Sequence, residues 1–560
     1  MTVSQSHNYS TKNEMNSPLS LIWKFINQHS YFILFALFAL WMLVGIFPLV
    51  CYEGDSLEVI LGCEIMHQDG WSFPPIKGYE YRMQPLTYIT VVAIRNILPI
   101  FTCQQIYCLI TALSSFAFLI GCIEFARHIT HEKRIRILLA AMMLPEIYAI
   151  AMYPNSAIPA AALFVWALIC ICHRRYLVAT ILMCIAPLFR VDVVAVYPAI
   201  FPLFMHEGKT LGKSIIYSAI YALTVVVVCL FFFWLFNARV LTSLNSYDHW
   251  NRTIPTSQVL ITIFAYYSLA YIILLPLGLC LLIKNKFWKE LLLVLLPIVI
   301  LHYVYRQMGC AAKHYLYISP FVIIAGVRAL SWIISVVRNR PLLKWVSIVL
   351  VILFNTVSLR VVPPSRPWFE DGFIYNAATI VPFGSTQISS TKVSLGVGAG
   401  QFVPTLDEKM IGSGHLFYSM YIHDIKKEME TTYAKLKTTL EKQTICNIQT
   451  VEWGISSYIS SLFLKDQYRV SVHDGYCTFT GKGKTFNVHN LKWFDYDDGE
   501  NGARELLERY RSLTFPEPKD ELYIVVDTEH IRTSFEGLAR HGLVKKIEEG
   551  LYLFKIKPSI

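Results

Sequence analysis

Charge is scarce in this sequence of 560 residues. Only 16% of the residues are charged while 55% are hydrophobic, a balance that excludes an ordinary soluble globular protein. The 13 cysteines form no Cys-x-x-Cys pair, and no cluster of histidines and carboxylates has metal-ligand spacing. We therefore predict no cofactor and no obligatory metal, while a divalent ion stays compatible with the sequence. No basic and aromatic stretch resembles a nucleic-acid module, so no nucleic acid is expected as a partner.

Long apolar runs take the place of charge. Residues 31–51 form an uncharged run, long enough to cross a hydrocarbon core of about 30 Å as a helix. Residues 1–30 contain no small-residue cleavage site, so we predict a cytoplasmic N-terminal segment and a retained first helix. The runs together predict a polytopic α-helical membrane protein with about 11–13 transmembrane helices. The further apolar segments lie at 85–101, 104–126, 135–152, 156–173, 176–189, 191–206, 213–236, 257–283, 289–305, 314–337 and 343–361.

The basic residues predict the topology. Residues 1–362 hold 26 Lys and Arg against 14 Asp and Glu, whereas residues 363–560 hold 23 against 25. This excess favours contact with anionic membrane lipids, and the positive-inside rule assigns the basic loops to the cytoplasm. These loops are 127–134, 173–175, 206–213, 284–289 and 338–344. The outward loops are then 52–84, 153–156, the turn at Arg190, 237–256, 306–313 and the chain after about 362.

The alternation of sides breaks once. If residues 85–101 and 104–126 both span, the following loops fall on the wrong sides. Either one of the two segments is an interfacial or re-entrant helix, or the pair crosses only once. We favour 85–101 as the segment that does not span, because Arg95 interrupts it and prolines lie near its ends.

The sequence pattern of residues 363–560 predicts an extracytoplasmic soluble α/β domain. Gly396 to Gly400 follow a predicted strand but lack the spacing and the downstream acid of a dinucleotide fingerprint. Cys446 and Cys477 are either free or bonded to each other in an oxidising compartment. The patterns predict strands at 393–398 and 522–527, an edge strand at 550–557, and helices at 416–442 and 502–512.

The outward loop 52–84 carries an acidic cluster that begins directly after the first apolar run. Asp55 there is a candidate catalytic base, but Asp55 to Glu58 also fits a capping box that starts an amphipathic helix on the membrane surface. Capping explains Asp55 as well as catalysis does. It explains the neighbouring Glu53, Glu64 and Trp71 less well.

The order of motifs in this loop resembles that of the GT-C glycosyltransferases, in particular the branch with lipid A aminoarabinose transferases and protein O-mannosyltransferases. Asp55 matches the family's acid, Met66 and Trp71 match the next motif, and Gln84-Pro85-Leu86 stands at its Lys-Pro-Pro. The later segments 187–192 and 313–320 also resemble family segments in the same order. The resemblance covers residues 31–362 and predicts a GT-C-like transmembrane catalytic domain there, with interfacial helices in loop 52–84.

The resemblance implies a glycosyltransferase that uses a sugar linked to a polyprenyl phosphate. The sugar would pass to a hydroxyl or a phosphate of the acceptor, which is a lipid, a glycan or a protein, at the outer face of a bacterial inner membrane. Asp55 would take the proton from the acceptor. Arginine and lysine would hold the departing phosphate. These candidate cations are Arg82, Arg190, Arg306 and Lys313. Arg82 and Arg306 could instead snorkel to headgroups, and Arg190 could pair structurally with Asp192.

The family's second acid is missing, because Asn155 stands at the matching position. Either Glu53 or Asp192 substitutes for it, or one acid suffices. The candidate residues of the sugar or acceptor pocket are Tyr81, Gln84, Asn155, His314 and Tyr315. The competing function is a multi-helix transporter or lipid flippase, which predicts an internal repeat that the sequence does not show. A scaffold for partner proteins would leave the acidic loop without a role.

Overall fold

The structure is a computed structural model, and every structural statement below concerns the part of the chain that it describes. This part comprises residues 25, 28–41, 54–68, 84–144, 154–235, 269–308, 316–337, 340, 342, 346, 357–362, 379–388, 391–398, 401–403, 409–411, 434–442, 445–450, 460, 463–464, 466–473, 476–489, 500–512, 522–525, 529–547 and 553–556.

The described residues of the N-terminal part form helices joined by short turns. The α-helices are α1 Ser30–Trp41, α2 Gly54–Gln68, α3 Pro85–Ile97, α4 Cys103–Thr130, α5 Arg134–Met142, α6 Ala157–Cys172, α7 Tyr176–Phe189, α8 Ile200–His206, α9 Leu211–Leu235, α10 Leu269–Lys284, α11 Trp288–Met308 and α12 Ser319–Val337. Two 3-10 helices, Val191–Ala199 and Leu316–Ile318, lead into α8 and α12.

Three of the described helices are long and apolar enough to cross a membrane: Cys103–Thr130, Leu211–Leu235 and Leu316–Val337. The chain is therefore an integral membrane protein with several spans. Shorter apolar helices include α6 and α7, of 16 and 14 residues. The total of about 11–13 spans stays a prediction.

Helix α3 is too short to cross a bilayer. Its 13 residues rise about 20 Å, less than the roughly 30 Å of a hydrocarbon core. It is not among the helices that qualify as spans. This agrees with the expectation that segment 85–101 does not cross on its own.

The core lies where α4, α6 and α12 meet. Phe125 of α4 and Phe164 of α6 both pack against Phe321 of α12, with ring centroids 5.9 Å and 6.3 Å away. All three side chains are fully buried. The contacts fix the relative positions of the three helices, and thereby of the loops at their ends.

One glycine permits the close crossing of α10 and α12. A Cβ built on Gly278 would lie 2.1 Å from the carbonyl oxygen of Ala325, closer than two such atoms can approach. Any larger residue at 278 would push the two helices apart. Close backbone contact at small residues is a common basis of helix packing in membranes, where no hydrophobic force draws helices together.

Helix α2 corrects two expectations about the acidic loop. The helix begins at Gly54, so Asp55 lies inside its first turn and does not cap it. Every residue of 59–66 is buried, so α2 is packed inside the protein and is not an amphipathic helix on the membrane surface. Glu64 caps a neighbouring helix, because its Oε1 accepts a 3.0 Å hydrogen bond from the backbone N–H of Cys103 at the start of α4.

Strands dominate the described residues after 356. They are β1 Val357–Val362, β2 Thr379–Ile388, β3 Thr391–Gly398, β4 Gln401–Val403, β5 Lys409–Ile411, β6 Ile445–Thr450, β7 Arg469–His473, β8 Tyr476–Gly481, β9 Lys484–His489, β10 Leu522–Val525, β11 Val544–Lys546 and β12 Leu553–Ile556. Helices α13 Glu500–Ser512 and α14 Glu529–Arg540, and a helical segment at 434–441, accompany them.

Seven of these strands form one mixed sheet in the order β11-β12-β10-β6-β9-β8-β7. Strand β12 lies between β11 and β10, so the expected edge strand at 550–557 is in fact internal. Gly396 and Gly398 pair within β3, in the separate sheet β1-β3-β2, and do not form a phosphate-binding loop. Cys446 on β6 and Cys477 on β8 are separated by β9, roughly 9.5 Å across the sheet. Cys477 is accordingly a free thiol, and the disulfide alternative is wrong.

The sheet contacts the membrane part through Gln68, the last residue of α2. Its side-chain Nε2 donates to the carbonyl oxygen of Tyr468 at 3.2 Å, and its Oε1 accepts from the N–H of Val470 at 3.0 Å. Strand β7 is an edge strand with β8 on its other side. The amide of Gln68 therefore occupies the hydrogen-bonding groups that a further strand would take.

Replacing Gln68 by Ala should loosen this contact. Each lost hydrogen bond is worth about 0.5–1.5 kcal/mol, so the loss of both costs about 1–3 kcal/mol, and amide exchange at Val470 should become roughly 5-fold to 150-fold faster. Hydrogen–deuterium exchange of the full chain measures this. Exchange in β9, which Gln68 does not touch, is the internal control, and unchanged exchange at Val470 would show that the contact carries no stability.

The sheet should lose stability in mild acid because of His489. Its side chain is 4% exposed, and burial lowers its pKa from the ordinary 6.5 to about 4. Between these two values the unfolded chain binds a proton that the folded chain does not, so stability falls as the pH falls, by at most about 3 kcal/mol. Above pH 6.5 the histidine is neutral in both states, and this contribution is complete.

The test compares amide protection in β9 at pH 7 and pH 5 in the full chain. Wild type should lose more protection than His489→Phe, which keeps a ring against Tyr476, 4.9 Å away between centroids. An equal loss in both proteins would mean that another group causes the acid sensitivity.

Candidate active site

Five segments that are far apart in sequence meet at one end of the helices. They are the first turn of α2, the start of α3, residues 154–156 before α6, the junction of α7 with the 3-10 helix, and the 3-10 helix before α12. Four hydrogen bonds connect the five segments: α2 with residue 154, residue 156 with Arg190, α3 with Phe189, and the 3-10 helix before α12 with Asp192. The topology prediction assigned the first four of these places to one side of the membrane, and the structure brings them together.

Asp55 is positioned by its neighbour. The hydroxyl of Ser56, a buried residue, donates a hydrogen bond to the backbone carbonyl of Pro154. This bond ties the first turn of α2 to the segment that leads into α6. The backbone of Asp55 is therefore held next to Asn155, whose place in the chain matches the family's second acid. The side chain of Asp55 lies outside the described part.

Asn155 lies directly before Ser156, the N-cap residue of helix α6. Its Oδ1 accepts a 2.7 Å hydrogen bond from the N–H of Ala157, and its own N–H donates to the hydroxyl of Thr111 in α4 at 2.9 Å. Asparagine favours such a position because its short side chain can take up an unpaired N–H at a helix start. The residue is buried, with 3% of its surface exposed. A structural role thus explains Asn155 without any contact to a substrate.

Arg190 is fixed at the end of α7. Its Nε donates to Oδ2 of Asp192 at 2.9 Å, and its Nη1 donates to the hydroxyl of Ser156 at 3.5 Å. Asp192 in turn accepts, on Oδ1, a 2.6 Å hydrogen bond from the hydroxyl of Tyr317. The arginine side chain is 21% exposed, so a ligand can reach it.

The sequence left open whether Asp192 pairs with Arg190 or serves as a second acid. The two residues form an ion pair, with Tyr317 on the far side of the carboxylate. Because both carboxylate oxygens already accept hydrogen bonds, Asp192 suits the holding of Arg190 better than proton transfer. The geometry therefore favours Asp192 as a positioning residue for the guanidinium.

Gln84 lies in the helix turn that contacts the residue before Arg190. It is the N-cap residue of α3, and Thr87 in the same turn donates its hydroxyl to the carbonyl of Phe189, the residue before Arg190, at 3.3 Å. Gln84 is 6% exposed, and its Oε1 is buried without a hydrogen-bond partner in the described part of the chain. A buried acceptor without a partner is costly, and it is a feature of sites that wait for a ligand.

The other candidate residues cannot be placed. Arg306 lies in α11, but its side chain is outside the described part. The remaining candidates fall entirely outside the described residues; they are Glu53, Tyr81, Arg82, Lys313, His314 and Tyr315. Their assigned roles stay predictions.

Sequence reasoning missed the residues that hold the site together. Ser56, Ser156 and Tyr317 were not among its candidates, yet they bond Pro154, Arg190 and Asp192. The sequence held a signal only for Tyr317, which lies inside the segment 313–320 that resembles the family. Single serines next to a candidate acid or a proline give no comparable signal.

No protein-family model matches this chain, and no curated protein matches its sequence. Its structure resembles ArnT. The crystal structure of ArnT from Cupriavidus metallidurans bound to undecaprenyl phosphate is 13% identical, with a TM-score of 0.41, over 55% of this chain and 59% of that chain. The apo structure of ArnT is 14% identical, with a TM-score of 0.42, over 55% and 60%.

The chain thus spans about three fifths of the length of the ArnT structures. ArnT is a lipid A aminoarabinose transferase of the GT-C type.

Proposed function

We propose that the chain is a glycosyltransferase that moves a sugar from a polyprenyl-phosphate-linked donor to an acceptor on a lipid, a glycan or a protein. The observation that carries this proposal is the arrangement around Arg190. A fixed arginine, an acid-bearing helix turn and a buried amide acceptor without a partner converge at the ends of apolar helices. A lipid-linked donor presents its phosphate and sugar at the membrane surface, with its tail in the bilayer.

Arg190 is the residue we assign to the donor phosphate. Its planar guanidinium can bind two phosphate oxygens at once, and its orientation is set in advance by Asp192 and Ser156. Such preorganised positive charge stabilises a leaving group without reorganisation during the reaction. Arg82, Arg306 and Lys313 are proposed as additional cations around the same phosphate.

Asp55 is the base that we assign to the acceptor. Its carboxylate takes the proton from the acceptor hydroxyl as the oxygen attacks the anomeric carbon. The bond between that carbon and the phosphate oxygen breaks, and the polyprenyl phosphate leaves with the electron pair. Glu53 is the remaining candidate for a second acid, since Asp192 is engaged with Arg190 and Tyr317.

Gln84 is assigned to the sugar. Its buried amide oxygen can accept a hydrogen bond from a sugar hydroxyl, which would satisfy the acceptor that the described residues leave without a partner. Tyr81, His314 and Tyr315 are proposed to complete the pocket, with Asn155 shaping it through the start of α6. No metal is assigned a role in this reaction.

The proposed location follows from the charge pattern. The predicted boundary between the transmembrane catalytic part and the soluble part lies at 362, but residues 357–362 form β1 and pair with β3. We therefore place the start of the soluble part before Val357. Gln68, the last residue of the site helix α2, links the two parts. We place the N-terminus in the cytoplasm and the soluble part outside, in a bacterial inner membrane.

The test is donor consumption by the purified full chain in detergent or liposomes. We expect turnover of a sugar linked to polyprenyl phosphate and none of the same sugar linked to a nucleotide. An intact donor that moves from one leaflet to the other would instead establish the flippase function. Absence of both activities across a panel of donor sugars would contradict both.

A further inference from the structure

A second cluster of reactive side chains lies at the opposite end of the helices. Helix α6 begins beside Asn155 in the candidate active site and ends at Cys172, roughly 24 Å away along its 16 residues. At that end, His128 of α4, Cys172 of α6 and Glu207 after α8 come together. Their ligand atoms all lie within 4.8 Å of one another.

The members of this cluster are metal-ligand types, and they come from three different helices. The imidazole Nε2 of His128 is 2.9 Å from Oε1 of Glu207, and Cys172 is a buried free thiol. In a tetrahedral zinc site the ligand atoms lie about 3.3–3.7 Å apart, as bond lengths of 2.0–2.3 Å require. The cluster therefore needs to contract by only about 1 Å, which side-chain rotation can supply.

A fourth donor is close by. Nδ1 of His206 is buried and forms an ion-pair contact with Glu207, 3.6 Å from its Oε1. An imidazole nitrogen is a common zinc ligand. Its position beside the three other donors makes Nδ1 a candidate fourth ligand.

The backbone also favours a cation here. Helices α4, α6 and α8 all end at this place, at Thr130, Cys172 and His206. The C-terminus of a helix carries partial negative charge on its unpaired carbonyl groups, so three converging ends attract positive charge. Lys209, the nearest lysine in sequence to Glu207, is directed over the ring of Tyr217, with Nζ 5.6 Å from its centroid.

We propose that His128, Cys172 and Glu207 bind one divalent transition-metal ion of the zinc type, with His206 or water as the fourth ligand. Mixed nitrogen, sulfur and oxygen donors suit zinc, whereas magnesium and calcium prefer oxygen alone. The ion would hold the ends of α4, α6 and α8 together, far from the donor site. Spacing in the sequence does not reveal this site, because the partners of His128 are Cys172 and Glu207 from distant parts of the chain and not the nearby His131.

The test uses the full chain, stripped with a chelator and titrated with Zn²⁺. Wild type should bind about one equivalent per chain, and Cys172→Ser should bind at least about tenfold more weakly, since even outer-sphere losses cost 10- to 100-fold. Glu207→Gln should weaken binding likewise. The matched controls are Cys170→Ser, two residues earlier on the same helix, and His131→Gln. Both should bind Zn²⁺ as tightly as wild type does.

Bound Co²⁺ reports directly whether a thiolate is among its ligands. Co²⁺ bound by a thiolate shows a charge-transfer band in the near ultraviolet, which wild type and Cys170→Ser should show and Cys172→Ser should lack. Size-exclusion chromatography confirms that each variant is folded and monodisperse. Wild type that binds no metal, or a band that survives Cys172→Ser, would overturn the proposal.

Discussion

Asp55→Asn should reduce the rate of sugar transfer by about 10²- to 10⁴-fold, the usual contribution of a general base. Asparagine has nearly the same shape as aspartate, but it cannot accept a proton from the acceptor hydroxyl. The hydrogen bond from Ser56 to Pro154 does not involve the side chain at 55, so the first turn of α2 should keep its place. The measurement is the initial rate of donor consumption at saturating donor.

Glu64→Gln is the matched control for this experiment. It makes the same chemical change on the same helix, about two and a half turns later. The capping bond from the N–H of Cys103 survives, because a glutamine side chain also offers a carbonyl oxygen. This variant should stay within about twofold of wild type, since one neutral hydrogen bond replaces a charged one. A full rate in Asp55→Asn would remove Asp55 from the mechanism.

Arg190→Ala should lower kcat/KM for the donor by about 10²- to 10³-fold, as the loss of a preorganised charge-stabilising group does. The alanine variant also leaves Asp192 without its ion-pair partner, which would repel the donor phosphate. Arg190→Lys should recover only part of the loss, because a lysine ammonium cannot reproduce the planar, two-pronged contact. The kcat/KM of Asp192→Asn should lie between those of wild type and Arg190→Ala, since asparagine keeps the shape of the partner of Arg190 and removes its charge.

Arg175→Ala serves as the control for Arg190. The two arginines flank the same helix, with Arg175 as the N-cap and Arg190 as the C-cap of α7. Arg175 is exposed at the end that lies far from the candidate active site. Removing it changes the net charge by the same amount, and donor turnover should not change. Equal losses in both variants would point to overall charge or stability as the cause.

The sequence predicted the membrane class of this protein and the grouping of its loops for a clear physical reason. Apolar runs and the placement of lysine and arginine act locally, so they can be read without a structure. The same pattern was misleading for α2. Its apolar residues suggested a helix on the membrane surface, but the helix is buried on all sides by partners distant in sequence.

Long-range partners also limited the prediction of the site. The motif order singled out Gln84, Asn155 and Arg190, and the structure places these three among segments that hydrogen bonds connect. The pairing of Arg190 with Asp192, two residues apart, was foreseen as an alternative. The contribution of Tyr317, 125 residues away from Asp192, was not, because nothing in local spacing reveals it.

The most direct test of the central claim follows the leaving group. Purified full-length protein is incubated with a polyprenyl-phosphate sugar labelled in the lipid, together with extracted membrane acceptors, and the released polyprenyl phosphate is quantified against the sugar transferred. We predict one polyprenyl phosphate per sugar transferred in wild type, and almost none in Asp55→Asn or Arg190→Ala. Sugar transfer without release of polyprenyl phosphate would contradict the proposed reaction. Release by Asp55→Asn and Arg190→Ala at the wild-type rate would contradict its assignment to this site.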